Sequence, residues 1–468
     1  MDLVQALRLN PEPRLALVGA GGKTTALFEI AHRLPSPVLV TATTHLAQHQ
    51  LTLADHHFIL LKPEDLSLLE ANLPGGVILL TGPESEADRV AGLDTLTLER
   101  IKGLADAYHI PLLIEADGSR QRPVKAPAEH EPPIPLFVDT VLVVAGLSAL
   151  GKPFSSEWVH RPDQFADLSG LSPGEIIIPE ALANVLTHTS GGLKNIPPGA
   201  KRIALLNQAD TPELQAQGQS LAAMLLPDYA SVVITSLASS GVQGESSVPG
   251  LAGVVRRNGG LPQVFAVYEP VAGIVLAAGE SHRFGRPKQL LTWKGETFIR
   301  HIVRTALQTG LSAVVVVIGA HAEQVRAAIQ VEYPVDTRLS LVDNPDWQYG
   351  QSTSVQKGLQ ALPAQTGAAV FFLVDQPQIP TTLVRALVEL HSQTLSPILA
   401  PLIDGQRGNP VMFDRVTFDD LLSLTGDTGG RSLFSRYPVM WLPWHDPSLL
   451  LDVDTPEDYQ KLLSMETE

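Results

Sequence analysis

Two short stretches carry the residues best suited to chemistry. Residues 17–27 read LVGAGGKTTAL, and residues 276–291 read LAAGESHRFGRPKQLL. Each ends an apolar run in small residues and then supplies cations. Ala277, Ala278 and Gly279 have little or no side chain, so a ligand can approach the backbone behind Leu276, and free N–H groups there can bind phosphate oxygens. Arg283 and Lys288 add charge that neutralises a triphosphate. In the first stretch Gly19, Gly21 and Gly22 expose N–H groups at a helix start, Lys23 adds charge, and the Thr24 hydroxyl can reach Mg²⁺. The plainer alternative is a tight strand-to-helix turn with surface cations for the second stretch, and a glycine-rich helix start with a chance lysine for the first.

Acids fall where such loops need them. Asp375 ends the apolar run AAVFFLVDQP (368–377), and α/β sheets bind ligands at such strand ends. Asp454 lies in LLLDVDTPED, expected at another strand end; a helix N-cap is its alternative, since TPED starts a helix well. Asp452 is the weaker candidate nearby. In the first half, LLIEADGSR (112–120) ends in Glu115 and Asp117, either of which can hold Mg²⁺ through water. His45, His130 and His160 lack the close spacing of metal ligands, so ordinary polar contacts are expected of them. Trp347 and Trp441 read as core.

The elements that must position these residues alternate. Apolar strands are expected at 15–19, 37–43, 77–82, 111–117, 140–147, 202–210 and 231–237, and in the second half at 272–279, 313–320, 339–345 and 368–377. Leu27, Ile30, Ala31 and Leu34 fall on one helix face, as do Ile299, Ile302, Val303 and Ala306 before the stop at Gly310. Near-continuous apolar strands with helices between them imply parallel sheets covered on both faces. The expected fold is therefore α/β, with two three-layer domains. SSGVQGESSVPGLAGVV (239–255) is the best boundary, giving domains over 1–250 and 271–468 with a linker over 251–270.

Composition narrows the function. The chain has 468 residues, too many for one ordinary core, with 44% hydrophobic and 18% charged residues. A net charge of −16 disfavours a nucleic-acid partner but not small anionic substrates. There are no cysteines, so disulfides, thiolate metal sites and cysteine nucleophiles are excluded. No apolar run suits a membrane span, and the start lacks the features of a secretory signal, so a cytoplasmic location is expected.

LAAGESHRFGRPKQLL resembles the signature LAxGxSxRxGxxK of the MobA-like nucleotidyltransferases at Leu276, Ala277, Gly279, Ser281, Arg283, Gly285 and Lys288. NPDWQYGQSTSVQKGL (344–359), VDQPQI (374–379), GQRGNPVMF (405–413), GDTGGR (426–431) and DVDTPEDY (452–459) follow in the family's order. The LAAG and GxRGNP spellings are most similar to molybdenum cofactor cytidylyltransferases. The resemblance implies a Rossmann-like, mostly parallel domain that transfers CMP from CTP to molybdopterin cofactor and releases pyrophosphate. It further implies Arg283, Lys288 and Asp375 as catalytic groups and Asp375 with Asp454 as holders of Mg²⁺. Arg407, Asn409 and Arg431 would grip the pterin end, and Gln289 and Ser354 would lie near nucleotide or pterin. Adenylyl transfer, a sugar or alditol phosphate acceptor, and a non-catalytic cofactor carrier are the alternatives.

The first half departs from the usual phosphate loop GxxxxGK[ST], since position 17 is Leu. Its shorter form is similar to the GxxGKT loop of Mur-ligase-type ATPases. LLNQAD (205–210) resembles the NKxD base-reading motif of GTPases, with Gln208 in the lysine position; Asp210 could equally cap a helix. TATTH (41–45), EADGSRQRPVKAPAEHEPPIP (115–135) and VHRPDQF (159–165) resemble the YqeC-like accessory proteins of selenium-dependent hydroxylases. This implies a nucleotide-binding domain associated with molybdenum hydroxylase maturation, with a hydroxylase apoenzyme as a further partner.

Overall fold

The computed structural model describes residues 1–85, 88–237, 263–281, 284–330, 333 and 336–465. The chain divides into two compact units, Met1–Tyr268 and Glu269–Glu468.

In the first unit the strands of the main sheet are β1 (Arg14–Gly19), β2 (Val38–Ala42), β3 (His56–Ile59), β4 (Val77–Thr81), β5 (Leu112–Glu115), β6 (Thr140–Gly146), β7 (Lys201–Asn207), β8 (Ser231–Ser236) and β9 (Gln263–Tyr268). They form one sheet in the order β9-β8-β7-β6-β1-β5-β2-β4-β3. All neighbours are parallel except β8 and β9. Every residue of β2, β4 and β6 is buried, as a sheet covered on both faces requires.

Two strands escape the sequence pattern, and both lie at the sheet's edges. The β3 segment HHFI is only half-buried, so its apolar signal is weak. The β9 strand falls inside the expected linker 251–270, which is thereby corrected: residues 263–268 belong to the first unit's sheet. Residues 251–262 of that linker, and the Ser- and Gly-rich stretch from 239 onward, lie outside the described residues.

The second unit contains β10 (Val271–Ala277), β11 (Ala313–Ile318), β12 (Leu339–Asp343), β13 (Ala368–Leu373), β14 (Ile398–Ile403), β15 (Gln406–Arg407), β16 (Val411–Asp414) and β17 (Val439–Pro443). The sheet order is β12-β11-β10-β13-β16-β14-β15, with β17 also on β14. The β12-to-β13 half is parallel, whereas β16 runs antiparallel to both β13 and β14. The sheet is therefore mixed, because residues 404–410 return the chain as a local reversal rather than a helical crossover. Trp441 sits on the β17 edge and is exposed, correcting the core expectation; Trp347 is half-buried. Among the described residues no helix is long and apolar enough to cross a membrane.

Candidate functional site

In the second unit, β10 and β13 are parallel neighbours, so their carboxyl ends open side by side. The LAAG loop leaves β10 there. Ala277 and Ala278 are buried, Leu276 half-buried and Gly279 exposed. A Cβ on Gly279 would meet nothing within 4 Å, so the space over its backbone is open to a ligand. Gln289 does not face that space with its amide nitrogen. It is buried, and Nε2 donates to the carbonyls of Ala277 (3.0 Å) and Gly279 (2.8 Å), so it shapes the loop. Ser281 closes the turn in the left-handed region (φ 64), its Oγ accepting from Lys288 N at 3.1 Å. Arg283 lies outside the described residues.

Lys288 reaches across to two acids. Its Nζ donates to Asp454 Oδ1 and lies 3.8 Å from Asp375 Oδ2. Asp375 follows β13, and its carbonyl accepts from Val453 N at 3.1 Å, which holds the 452–454 segment against it. Gln376 Nε2 donates to Asp452, and Gln378 Nε2 to the carbonyls of Ser448 (3.0 Å) and Leu451 (2.7 Å). Asp454 is thus placed by the DQPQ turn, not by a strand: Pro447–Leu450 is a 3₁₀ turn, and irregular chain follows. Nor is Asp454 the cap of the next helix, Pro456–Ser464, since Thr455 accepts from Asp458 N there. The helix packs beneath the loop through Tyr459, edge-on to Phe284 at 6.0 Å.

Burial pushes the Asp375 carboxyl up to about 6; Lys288 opposes this, while Asp452 and Asp454 reinforce it. Its Oδ1 is buried without a hydrogen-bond partner. An orphaned carboxylate oxygen, on an acid that shares the Lys288 ammonium with Asp454, suits a hard divalent cation, which takes oxygen ligands. Among the described residues no set of three or more His, Cys, Asp or Glu side chains is arranged to hold a metal, so phosphate and water oxygens would have to complete the shell.

Arg407 stacks over Phe434 at 5.1 Å from the ring centre. Burial and then the neighbouring Arg431 disfavour its charge, while Asp452 favours it, so these three groups share one region. Asn409 is half-buried on the same return loop. The GDTGGR loop meets the QSTSV helix (Gln351–Gln360): Ser352 Oγ donates to Gly426 O at 2.7 Å. Gly350 (φ 111) must be glycine, because a Cβ would lie 2.3 Å from Gly426 C. Ser354 is buried and accepts from Asn344 Nδ2 at 3.0 Å, so it supports the segment from within.

In the first unit Gly22 (φ 117) precedes the helix Lys23–Ala31, whose first turn carries no side-chain cap. Lys23 Nζ donates to Gly19 O (2.7 Å) and lies 3.2 Å from Asp117 Oδ1 and 3.9 Å from Glu115 Oε1. Thr24 Oγ1 donates to Glu115 Oε2 at 2.7 Å, and Gly19 N donates to Asp117 Oδ2 at 3.0 Å. Burial raises Glu115 above the usual carboxylate range, with Lys23 opposing. The hydroxyls of Thr41, Thr43 and Thr44, at the end of β2, are buried and without hydrogen-bond partners.

The sequence reading missed Lys125. Its Nζ donates to Asp117 Oδ2 (2.8 Å), Glu131 Oε2 (2.8 Å) and Gly118 O (2.7 Å), and Arg161 grips Glu131 with both terminal nitrogens, at 2.6 and 2.7 Å. A lysine within the apolar run PVKAP was the available signal, since a buried cation needs partners. His160 stays neutral beside this network: burial, Arg161 and Lys125 lower it to about 4. His45 and His130 are exposed and join no metal-holding group among the described residues.

Comparison with known proteins assigns both units. The YqeC protein family matches residues 15–163, and the MobA-like NTP transferase domain matches residues 273–440. YqeC of Escherichia coli (strain K12) is 36% identical over 199 residues, covering 42% of this chain and 75% of that protein. Nicotine blue oxidoreductase of Paenarthrobacter nicotinovorans is 34% identical over 203 residues, covering 41% of this chain and 96% of that protein. The chain joins a YqeC-family domain to a MobA-like NTP transferase domain. Molybdenum cofactor cytidylyltransferase of Escherichia coli (strain K12) is 24% identical over 186 residues, covering 40% of this chain and 92% of that protein. Relatives of the MobA-like domain carry names from two reaction classes, so membership fixes its fold and loop but not its acceptor.

Proposed function

We propose that the MobA-like domain transfers CMP from CTP to molybdopterin cofactor and releases pyrophosphate. The observation that carries this reading is the single ammonium of Lys288 set between Asp375 and Asp454 beside the open LAAG loop. In such a transfer the pterin phosphate attacks the α-phosphorus, so the protein must position two anions and balance growing charge. The loop's N–H groups, Lys288 and Arg283 would take the triphosphate; Arg407, Asn409 and Arg431 would hold the pterin. Asp375 and Asp454 would hold Mg²⁺, which supplies charge neutralisation at the phosphates when bound.

The YqeC-family domain would bind a nucleoside triphosphate at Gly19–Thr24, with Glu115 or Asp117 serving its metal ion. Its place in one chain with the transferase suggests that it prepares or delivers cofactor for a molybdenum hydroxylase in the cytoplasm. The test is pyrophosphate release from molybdenum-loaded pterin, Mg²⁺ and each nucleoside triphosphate in turn. Release with CTP alone supports the proposal. Release with another nucleotide alone reassigns the donor, and release with none overturns the reading in favour of a cofactor carrier.

A further inference from the structure

We propose that the N-terminal unit selects a guanine nucleotide, with Asp210 reading the base. The proposal rests on the phosphate-loop reading of Gly19–Thr24 and adds the base to it.

The stretch NQAD is tied to the phosphate loop. Asn207, buried at the end of β7, donates Nδ2 to Gly21 O at 2.8 Å. Its Oδ1 accepts from Leu237 N (2.9 Å) and Thr235 Oγ1 (3.2 Å), so one amide joins the loop to the ends of both β7 and β8. A Cβ on Gly22 would lie 2.4 Å from that Nδ2, so the loop's glycine is matched to Asn207. Gln208 then adopts the left-handed region (φ 64), a conformation that costs free energy in a non-glycine residue and is retained where surroundings impose it. Its Oε1 accepts from Ser148 Oγ at 2.6 Å and runs over Gly146, where a Cβ would lie 2.2 Å away. Gly146 in turn packs against Gly21.

Asp210 follows on this tethered turn. Ala209 N donates to Thr235 O at 3.0 Å, and Asp210 accepts from Ser236 Oγ, so its carboxylate is oriented. It is exposed, and it is not the helix cap: Thr211 accepts from Leu214 N at the start of Pro212–Leu225. A carboxylate is thereby held at the sheet's ligand-binding end with no capping duty. In sheet order β7 is two strands from β1, roughly 10 Å at the usual spacing. That matches the span from a nucleotide's phosphates to its base.

The chemistry selects guanine. Its Watson–Crick edge offers N1–H and N2–H side by side, and a carboxylate offers two acceptors to match. Adenine and cytosine present a ring-nitrogen acceptor in that position, which would leave acceptors facing each other and unpaired.

The test is displacement of a fluorescent GTP analogue from the full chain, with Lys23→Ala defining the part due to this site. GTP is expected to bind the Lys23-dependent site roughly 10- to 100-fold more tightly than ATP or CTP. Asp210→Asn should lose that preference and gain XTP, whose O2 accepts from an asparagine amide; a misfolded variant could not gain a ligand. Equal affinities for GTP and ATP, or an Asp210→Asn variant with unchanged selectivity, would overturn the base assignment while the phosphate-loop reading stands. Absence of any Lys23-dependent binding overturns both.

Discussion

Lys288 pairs with Asp454, 166 residues further along the chain. The same ammonium faces Asp375, so two acids from separate motifs share one cation. Replacing it, as in Lys288→Met, should lower the rate of pyrophosphate release by about 10²- to 10³-fold, the usual scale for one lost charge-stabilising donor. Steady-state kinetics at saturating CTP checks this, and a variant within twofold of the parent excludes the role.

Asp375→Asn should abolish turnover yet stabilise the metal-free protein. Burial raises the folded-state carboxyl from 3.8 to about 6. Its contribution is fully present below pH 3.8 and is lost as pH rises through 6, so at pH 7.5 the charge is a cost. Removing it should gain about 1–2 kcal/mol, since the side chain is partly solvated. Calorimetry in chelator should show a higher Tm at pH 7.5 and no gain at pH 3.5.

Glu131 has the opposite sign. Burial alone would raise its carboxyl, but hydrogen bonds from Arg161 and Lys125 prevail and hold it at about 2. Its stabilisation is present above pH 4.5 and is lost as pH falls towards 2. His160, lowered to about 4, adds a loss between pH 6.5 and 4, because only the unfolded chain takes up that proton. Glu131→Gln should destabilise the first unit by about 3 kcal/mol, since it strands buried cations. Urea unfolding at pH 7 and pH 4 should show a smaller deficit at the lower pH.

Gly21→Ala should cost nucleotide binding in the first unit alone. Gly21 has φ 85, and a Cβ would lie 2.3 Å from Gly146 N, a backbone atom that cannot step aside. At least about a tenfold loss of Lys23-dependent binding is expected, with pyrophosphate release by the MobA-like domain unchanged. The two assays on one preparation separate these outcomes.

The apolar runs of β1, β2, β4 to β8, β10, β11 and β13 were legible because strands buried on both faces need continuous hydrophobicity; β12, half-exposed at its sheet's edge, was legible from its short apolar run alone. The edge strand β3 was not, since half-exposed HHFI carries little such signal; β9 (QVFAVY) is apolar but adjoins the Ser- and Gly-rich boundary, where it reads as linker. The return strands β14 and β16 escaped for another reason: their antiparallel pairing follows from a local reversal, not from a period, and β17 adds to β14 in parallel as a half-exposed edge.

By itself, the sequence determined the two glycine-bearing loops, their cations and the acids Asp375, Asp454, Glu115 and Asp117, because a tight turn that bares backbone N–H groups needs small residues at fixed spacing. It also determined the order of motifs that marks both families. Only the tertiary structure decided which groups meet. It set Lys288 between two distant acids, turned Gln289 inward onto the loop, buried Lys125 among carboxylates and fastened Asn207 to Gly21. Such pairings join residues far apart in the chain, and no local spacing encodes them; they exist once strand order brings the carboxyl ends of separate strands together.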